Sequence, residues 1–421
     1  MSQQPILSII VPTHNRRGLL EKNLAALSRQ TWSAAAFEVL VVADACTDDT
    51  AEMVTAYATQ APYSLHLLSH QAKSAAATRN LGAANARGRI LMFLDDDIVG
   101  HPGLVKAHMD AQHPGGAALG YSKPVLPSNP TWFQRNAHCW WEDTFREMGQ
   151  RGHRFSYRNF FSGNVSLPSA LFQKVGGFDT SLTSRLEDYE LGLRLLKAGS
   201  KFCYVPDALG YHYDTMDLPQ WLRRIRQEGG ADVQIAQRHP ELRTRLLATL
   251  EKPYSRRGQL LRTLAFAYPQ RGDWLERLLL RQVAIYEQLR LRDRWRKAVD
   301  LLRDYNYLRG IVASFKGQKA LANWLQEGPM PPAIATDAPI IDLAALPPID
   351  ALQELLQQAT TLGVRLALQG MEVLTIPPQP GTEPLQEEHL HSALRALAEK
   401  QFIPALAMQR IRSISGGSLL C

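Results

Sequence analysis

Over the first 217 residues, short apolar runs that end in polar clusters alternate with longer stretches whose apolar residues recur at helical spacing. Residues 6–11 form a β-branched run closed by Pro12, and Leu19, Leu20, Leu24 and Leu27 follow as one face of a helix. A second run, 37–42, passes through the polar turn 44–49 into a helical pattern from Thr50. Residues 65–68 precede an alanine-rich helical stretch at 74–86, and the run 90–94 ends directly in Asp95, Asp96 and Asp97. This alternation predicts an α/β domain with a Rossmann-like, mostly parallel sheet. Its strand ends carry their polar residues to one edge, where such sheets bind ligands.

Residues 120–161 read as irregular and rich in aromatics, among them Trp132, Phe133, Trp140, Trp141 and Phe145. Beyond Pro219 the pattern turns helical and arginine-rich up to Asn323, and within 274–302 the residues Leu278, Val283, Leu289 and Val299 suggest an apolar stripe. Gly328, Pro329, Pro331, Pro332 and Pro339 mark a linker. A helix at 349–362, strands at 364–368 and 373–376 around Gly370, and a helix at 385–400 predict a small α+β module. The expected organisation is an α/β domain over 1–217, a basic helical extension over 218–327, a Pro-rich linker over 328–339 and the module over 340–421.

Charge sharpens this division. Residues 1–217 hold 20 basic and 20 acidic side chains, 218–330 hold 22 against 11, and 331–421 hold 5 against 9. The central excess suits a polyanion such as an anionic lipid surface or a lipid-diphosphate acceptor; a solvated helical face is the plain alternative. No reading helix or base-stacking platform accompanies it, so nucleic acid is not expected as a partner. The cysteines Cys46, Cys139, Cys203 and Cys421 are dispersed without a CxxC pair, as in a reduced, cytosolic protein. No apolar run approaches the roughly 20 residues of a spanning helix, and the polar start at 1–5 lacks the basic region of a signal peptide. The expected location is cytoplasmic, at most peripheral to the inner face of a membrane.

Three adjacent carboxylates at the end of a buried strand repel one another, an arrangement tolerated best around a cation. Alternate residues of an extended segment point the same way, so Asp95 and Asp97 can face one site while Asp96 turns aside. Two carboxylates with diphosphate oxygens form a hard oxygen cage suited to Mg²⁺ or Mn²⁺. The plain alternative is a helix cap with a solvated acidic loop. Trp132, Trp140 and Trp141 can stack on a sugar face, although core packing accounts for at least one of them.

The segments Val11-Pro12-Thr13-His14-Asn15-Arg16, Asp44 with Thr47-Asp48-Asp49-Thr50, Arg79-Asn80-Leu81-Gly82 and Phe93-Leu94-Asp95-Asp96-Asp97 resemble successive motifs of family 2 glycosyltransferases. So do Ser162-Gly163-Asn164-Val165-Ser166, Gly176-Gly177-Phe178-Asp179 and Glu187-Asp188-Tyr189-Glu190-Leu191, and the likeness runs from residue 5 to 215. It implies a GT-A fold, a nucleotide-diphosphate sugar donor, a divalent ion and inversion at the anomeric carbon. Pro12, Thr13, Asn15, Asp44, Arg79 and Asp95 are thereby assigned to the donor nucleotide, and Asp97 and Asp95 to the metal. His212 falls where related enzymes place a further metal ligand, a structural histidine being equally open. Gly163 and Asn164, with Trp140 and Trp141, are assigned to the donor sugar and acceptor.

By the same resemblance Asp188 is the general base and Glu187 the second candidate; two acids in a first helical turn are otherwise ordinary capping. By this resemblance Asp44 favours UDP as the carrier, and Ala43, standing where the family usually has an acid, leaves GDP open. The resemblance implies a hydroxyl acceptor, lipid-linked compounds included, and a place in cell-surface polysaccharide or glycolipid assembly. The end segment Gly363-Val364-Arg365-Leu366-Ala367-Leu368-Gln369-Gly370-Met371, followed by Pro377 to Pro384 and a helix, loosely resembles the TubC-type docking domains over about 60 residues, which implies a protein partner. Two alternatives stand beside the transferase: a catalytically silent sugar-nucleotide-binding or scaffold protein, and a nucleotidyltransferase.

Overall fold

The structure is a computed structural model that describes residues 4–182, 185–251, 255–315, 318–326, 337–342, 345, 347–368, 370–376 and 378–390. They fall into two compact units, one drawn from Met1–Arg146 and Ser156–Pro331, the other from Glu147–Phe155 and Pro332–Cys421.

The first unit opens with β1 (Leu7–Thr13), α1 (Arg17–Leu27), β2 (Phe37–Asp44), α2 (Thr50–Ala58), β3 (Ser64–His70), α3 (Ala75–Asn85), β4 (Ile90–Leu94) and β5 (Ile98–Gly100). It continues through α4 (Leu104–Asp110), β6 (Gly116–Pro124), α5 (Trp132–Met148), β7 (Asn164–Pro168), α6 (Ser169–Lys174), α7 (Glu187–Lys197) and β8 (Lys201–His212). The eight strands form one sheet in the order β3-β2-β1-β4-β7-β6-β8-β5. β3, β2, β1 and β4 run parallel, and β7 joins β4 antiparallel. The α/β, mostly parallel GT-A fold expected from the sequence is present.

β2 and β4 are buried along their whole length and β1 at every position but Pro12, because helices cover both faces of the sheet; such strands read as continuous apolar runs. Gly82 marks the tightest approach of α3 to the sheet, where a Cβ would collide with Ile10. Gly82→Val is expected to cost about 1–3 kcal/mol by overpacking, measured as a lower midpoint in urea with an unchanged slope.

Strand register places the loops. The parallel strands bring Thr13, Asp44 and the residues after Leu94 to one edge, and β7, pairing Leu94 with Asn164, brings Gly163 to it from the opposite direction. β5 pairs antiparallel with β8 so that Ile98 faces His212, one residue beyond Asp97.

Residues 120–161 are not irregular as expected: β6 ends there, and α5 is a 17-residue helix. Its Phe133, Ala137, Trp141 and Phe145 recur every fourth residue, a helical signal masked by the large aromatics around it. The helices α8 (Leu218–Arg238), α9 (Arg243–Glu251), α10 (Arg256–Ala267), α11 (Pro269–Gln288), α12 (Arg292–Ala313) and α13 (Gln318–Gln326) complete the first unit. Phe133 of α5 joins Leu222, Val283, Trp295 and Leu302 of α8, α11 and α12 in one core. The stripe expected within 274–302 is broken at Leu289–Leu291, where Arg290 has a φ of 56°. Leu278 and Leu289 face solvent while Val283 and Val299 are buried.

The second unit contains β9 (Ile340–Asp342), α14 (Ile349–Leu362), β10 (Val364–Leu368) and β11 (Met371–Ile376), its sheet ordered β11-β10-β9. Leu352, Leu356, Leu366 and Leu385 are in its core. Residues 328–336 of the expected linker, and all of the expected helix 385–400 beyond residue 390, lie outside the described residues.

Candidate active site

The acidic loop after β4 distributes its three carboxylates among three sets of partners. Asp95 Oδ1 accepts from Arg79 Nη2 at 2.7 Å. Asp96, only 4% exposed, accepts from Thr13 Oγ1 at 2.7 Å and from Arg16 Nη1 at 3.1 Å. Asp97 Oδ2 accepts from the same Arg16 at 2.7 Å. Asp96 does turn away from Asp95, but into the protein rather than to solvent. Burial raises its carboxyl to about 6 even with Arg16 beside it.

Arg79, one turn into α3, is the hinge of the site. Its other terminal nitrogen donates to Glu187 Oε1 at 3.0 Å, so one buried guanidinium ties the β4 loop to the start of α7. Burial would lower its pKa, but Asp95 and Glu187 outweigh that and hold the charge firmly. The ring of Phe178 lies 5.7 Å from the guanidinium carbon, and Asn80 clamps the Phe178 backbone through both its N–H, at 2.9 Å, and its C=O, at 2.8 Å. The Gly-Gly-Phe-Asp segment thus holds an arginine in place, a role the sequence did not disclose. Arg79→Met leaves two carboxylates facing each other without a cation. The expected cost is about 3 kcal/mol, the low end for a broken buried pair because Asp95 is 35% exposed, read from denaturant midpoints.

α7 begins at a strained point: Leu186, its N-cap, is buried with a φ of 66°, costly for a branched side chain. That turn presents Glu187 and Asp188 in the first helical turn. Asp188 Oδ1 accepts from the Tyr189 N–H at 2.9 Å. Burial, then the charge of Glu187, push the Asp188 carboxyl up to about 7, against the pull of Arg79. A carboxyl group that titrates near neutrality can, in its carboxylate form, accept a proton from a substrate hydroxyl.

On the other side of the loop, His212 Nε2 lies 3.6 Å from Asp97 Oδ1. That oxygen is buried and takes no hydrogen bond. Burial alone would raise Asp97, yet His212 and Arg16 hold it below the usual carboxylate range, and Asp97 in turn raises His212. A buried carboxylate oxygen without a donor, next to an imidazole nitrogen, is a donor set that suits a hard or borderline divalent cation. Asp95, assigned to the metal on the sequence, is instead held by Arg79. Among the described residues no group of three or more His, Cys, Asp or Glu side chains is gathered as a metal site. The structure brings Asp97 and His212 together, while Arg79 holds Asp95 by its Oδ1. Arg224 of α8 completes the surroundings, lowered by burial and by the proximity of Arg185 and Arg16, with Asp214 and Asp97 opposing.

The remaining assigned residues divide. Pro12 sits within β1 opposite Val42. Asn15, with a φ of 52°, accepts the Thr47 N–H at 2.7 Å and the Asp48 N–H at 3.3 Å, pinning the β2 loop to the end of β1. Asp44 is 6% exposed and accepts from the Lys73 and Ser74 N–H groups and from Thr78 Oγ1, each at 2.9 Å, so its carboxylate closes the start of α3. Gly163 lies against Asp95, where a Cβ would stand 2.8 Å from Oδ2.

Asn164 does not line the cleft as its sugar assignment requires. It is 2% exposed, and it bonds His108 Nε2 at 2.9 Å and the Ala208 C=O at 3.0 Å within the sheet. Trp141 of α5 sits 6.2 Å from the His212 ring and 5.1 Å from Phe161, at the site. Its neighbour Trp140 is 55% exposed, whereas Trp132 packs on Trp295 in the helical core. Arg16, the last residue of the β1 motif, pairs with Asp96 and Asp97, a role that no local pattern marks.

A family model described as Glycosyl transferase family 2 matches residues 8–176. Validoxylamine A glucosyltransferase of Streptomyces hygroscopicus subsp. jinggangensis is 32% identical over 223 residues, 46% of this chain and 52% of that protein. Pre-mycofactocin glycosyltransferase of Mycobacterium tuberculosis is 28% identical over 244 residues, 56% of this chain and 48% of that protein. The chain thus spans about half the length of these curated relatives. Among solved structures, a mannosyltransferase from Pyrobaculum calidifontis in complex with GDP-Man and Mn²⁺ is similar over 73% of this chain and 86% of that one, with a TM-score of 0.51 at 19% identity, a likeness of fold. The matched segment spans the strands and loops that carry Thr13, Arg79 and Asp95–Asp97, and over residues 8–176 this chain is similar to the family 2 glycosyltransferases.

Proposed function

We propose that the chain transfers a sugar, with inversion, from a nucleotide-diphosphate sugar, a UDP-sugar first, to an acceptor hydroxyl. The observation that supports this reading is the double ion pair of Arg79, which joins Asp95 of the β4 loop to Glu187 at the start of α7. Asp188 accepts the acceptor's proton as its oxygen attacks the anomeric carbon; the bond from that carbon to the diphosphate breaks, and the diphosphate departs with the electron pair. Asp97 and His212 would hold a divalent cation, Mn²⁺ or Mg²⁺, with diphosphate oxygens completing its shell. When bound, the ion supplies positive charge to the leaving group. Arg16 and Arg224 add fixed cations at the same rim, and Trp141 offers a face for a sugar ring.

Residues 1–217 form the catalytic part in this reading, and the second unit serves as a docking module for a protein partner. No helix among the described residues is long and apolar enough to cross a membrane. The basic helices beyond residue 218 suit peripheral contact with an anionic membrane, where a lipid-linked acceptor for polysaccharide or glycolipid assembly would be found.

The test is donor turnover across a panel of UDP- and GDP-sugars with Mn²⁺ or Mg²⁺, before and after EDTA. Turnover of at least one donor that stops with EDTA and returns with metal is expected. Binding of donors with no turnover on any acceptor would assign the chain to recognition alone.

A further inference from the structure

Helix α11 faces solvent with large apolar residues. Trp274 is 61% exposed, Ile285 51% and Leu289, which ends the helix, 63%, with Leu278 between them. At 3.6 residues per turn these four fall within about 60° of arc and extend roughly 22 Å along one face. Arg271, Arg277 and Arg281, all exposed, flank or interrupt the stripe. The acids of α11 point the other way. Asp273 bonds Tyr305, Arg226 and Arg309; Glu276 bonds Arg226 and Asn306; and Glu287 accepts the Trp132 N–H. The neighbouring α10 contains no acidic residue and exposes Leu260 at 56%.

The structure assigns this face to an anionic lipid bilayer: α11 lies in the plane of the interface, its apolar stripe among the acyl chains and its arginines at the headgroup phosphates. The assignment deepens the peripheral-membrane part of the function proposed above and stands independently of the transfer chemistry. Three properties select a membrane. The carboxylates of α11 are engaged by partners on the side away from the stripe, so the only charged side chains beside the stripe on this helix are arginines. The stripe runs along one side of a single helix with its large apolar residues exposed, an arrangement that can lie in a planar interface. A second copy of the chain would oppose one segment with an excess of eleven positive charges to another, which mutual repulsion disfavours.

The test uses the full chain with vesicles of phosphatidylglycerol and phosphatidylcholine, compared with phosphatidylcholine alone, by co-sedimentation. Binding to the anionic vesicles only is expected, with loss on the order of 100-fold when Arg271→Gln, Arg277→Gln and Arg281→Gln are combined. Replacing Trp274, Leu278, Ile285 and Leu289 together by serine is expected to weaken binding more than tenfold while the circular dichroism spectrum is retained. Brominated acyl chains should quench fluorescence in the wild type and fail to quench the same component in Trp274→Phe. Equal binding to both vesicle types, wild-type affinity in the serine variant, or a dimer that the serine variant dissolves would each overturn the assignment. Donor turnover in solution is expected to be unchanged in these variants. If vesicle binding follows the prediction while no donor is turned over, the transferase reading fails and the membrane assignment stands.

Discussion

Asp188→Asn is expected to lower kcat by about 10²- to 10⁴-fold with little change in donor affinity, since it removes a proton acceptor and leaves the shape of the α7 turn intact. The pH profile carries the sign. A base works deprotonated, so the wild-type rate should climb with pH through about 7, where burial and Glu187 have raised Asp188, and level off above it. The residual rate of the variant should lose that rise.

Stability moves in the opposite direction. A carboxyl whose folded pKa lies above its unfolded value binds more protons when folded, so its contribution to stability is full below the unfolded value and declines as pH rises through the folded one. Asp188→Asn is therefore expected to melt no lower than wild type at pH 8, which separates lost chemistry from lost folding. A variant retaining wild-type kcat and the same pH profile would remove Asp188 from the mechanism and turn attention to Glu187.

Asp97→Ala should abolish metal-stimulated turnover, a loss of about 10²-fold or more, because it deletes the one buried carboxylate oxygen left without a donor beside His212. It also frees Arg16 from one of its two carboxylates, leaving the 3.1 Å contact with Asp96. The checks are a Mn²⁺ titration of donor turnover and a comparison with Asp97→Asn, which keeps the volume and one oxygen but loses the charge. Wild-type turnover with unaltered Mn²⁺ dependence in Asp97→Ala would dismiss the cation site.

Much of the fold could be read directly from the chain, for an identifiable reason. β1, β2 and β4 are buried on both faces, and strands of that kind must be apolar along their length whatever packs on them. The end of β4 at Asp95, the N-terminus of α7 at Glu187 and the hairpin around Gly370 were legible because charge clusters and glycine mark boundaries locally. α5 was not, because the large aromatics around Phe133, Ala137, Trp141 and Phe145 mask their helical spacing.

The candidate site was legible as a set of residue types and illegible as a set of pairings. Residues 13, 79, 95–97, 187, 188 and 212 could be named from local motifs. Which of the three adjacent aspartates meets which cation could not, since Arg16, Arg79 and His212 come from separate elements and arrive through strand register. Asn164 shows the same limit: its motif identifies it, but the approach of α4 and β8 decides that its amide serves His108 and Ala208 inside the sheet. Composition and periodicity alone determined the α/β class, the order of its strands along the chain and the acidic cluster that ends β4. Tertiary structure decided that Asp95 pairs with Arg79, that Asp97 pairs with Arg16 and approaches His212, and that the apolar stripe of α11 faces outward. The physical reason is that local pattern reports how much of a side chain must be buried, whereas the identity of its neighbour is set only when distant segments close on one another.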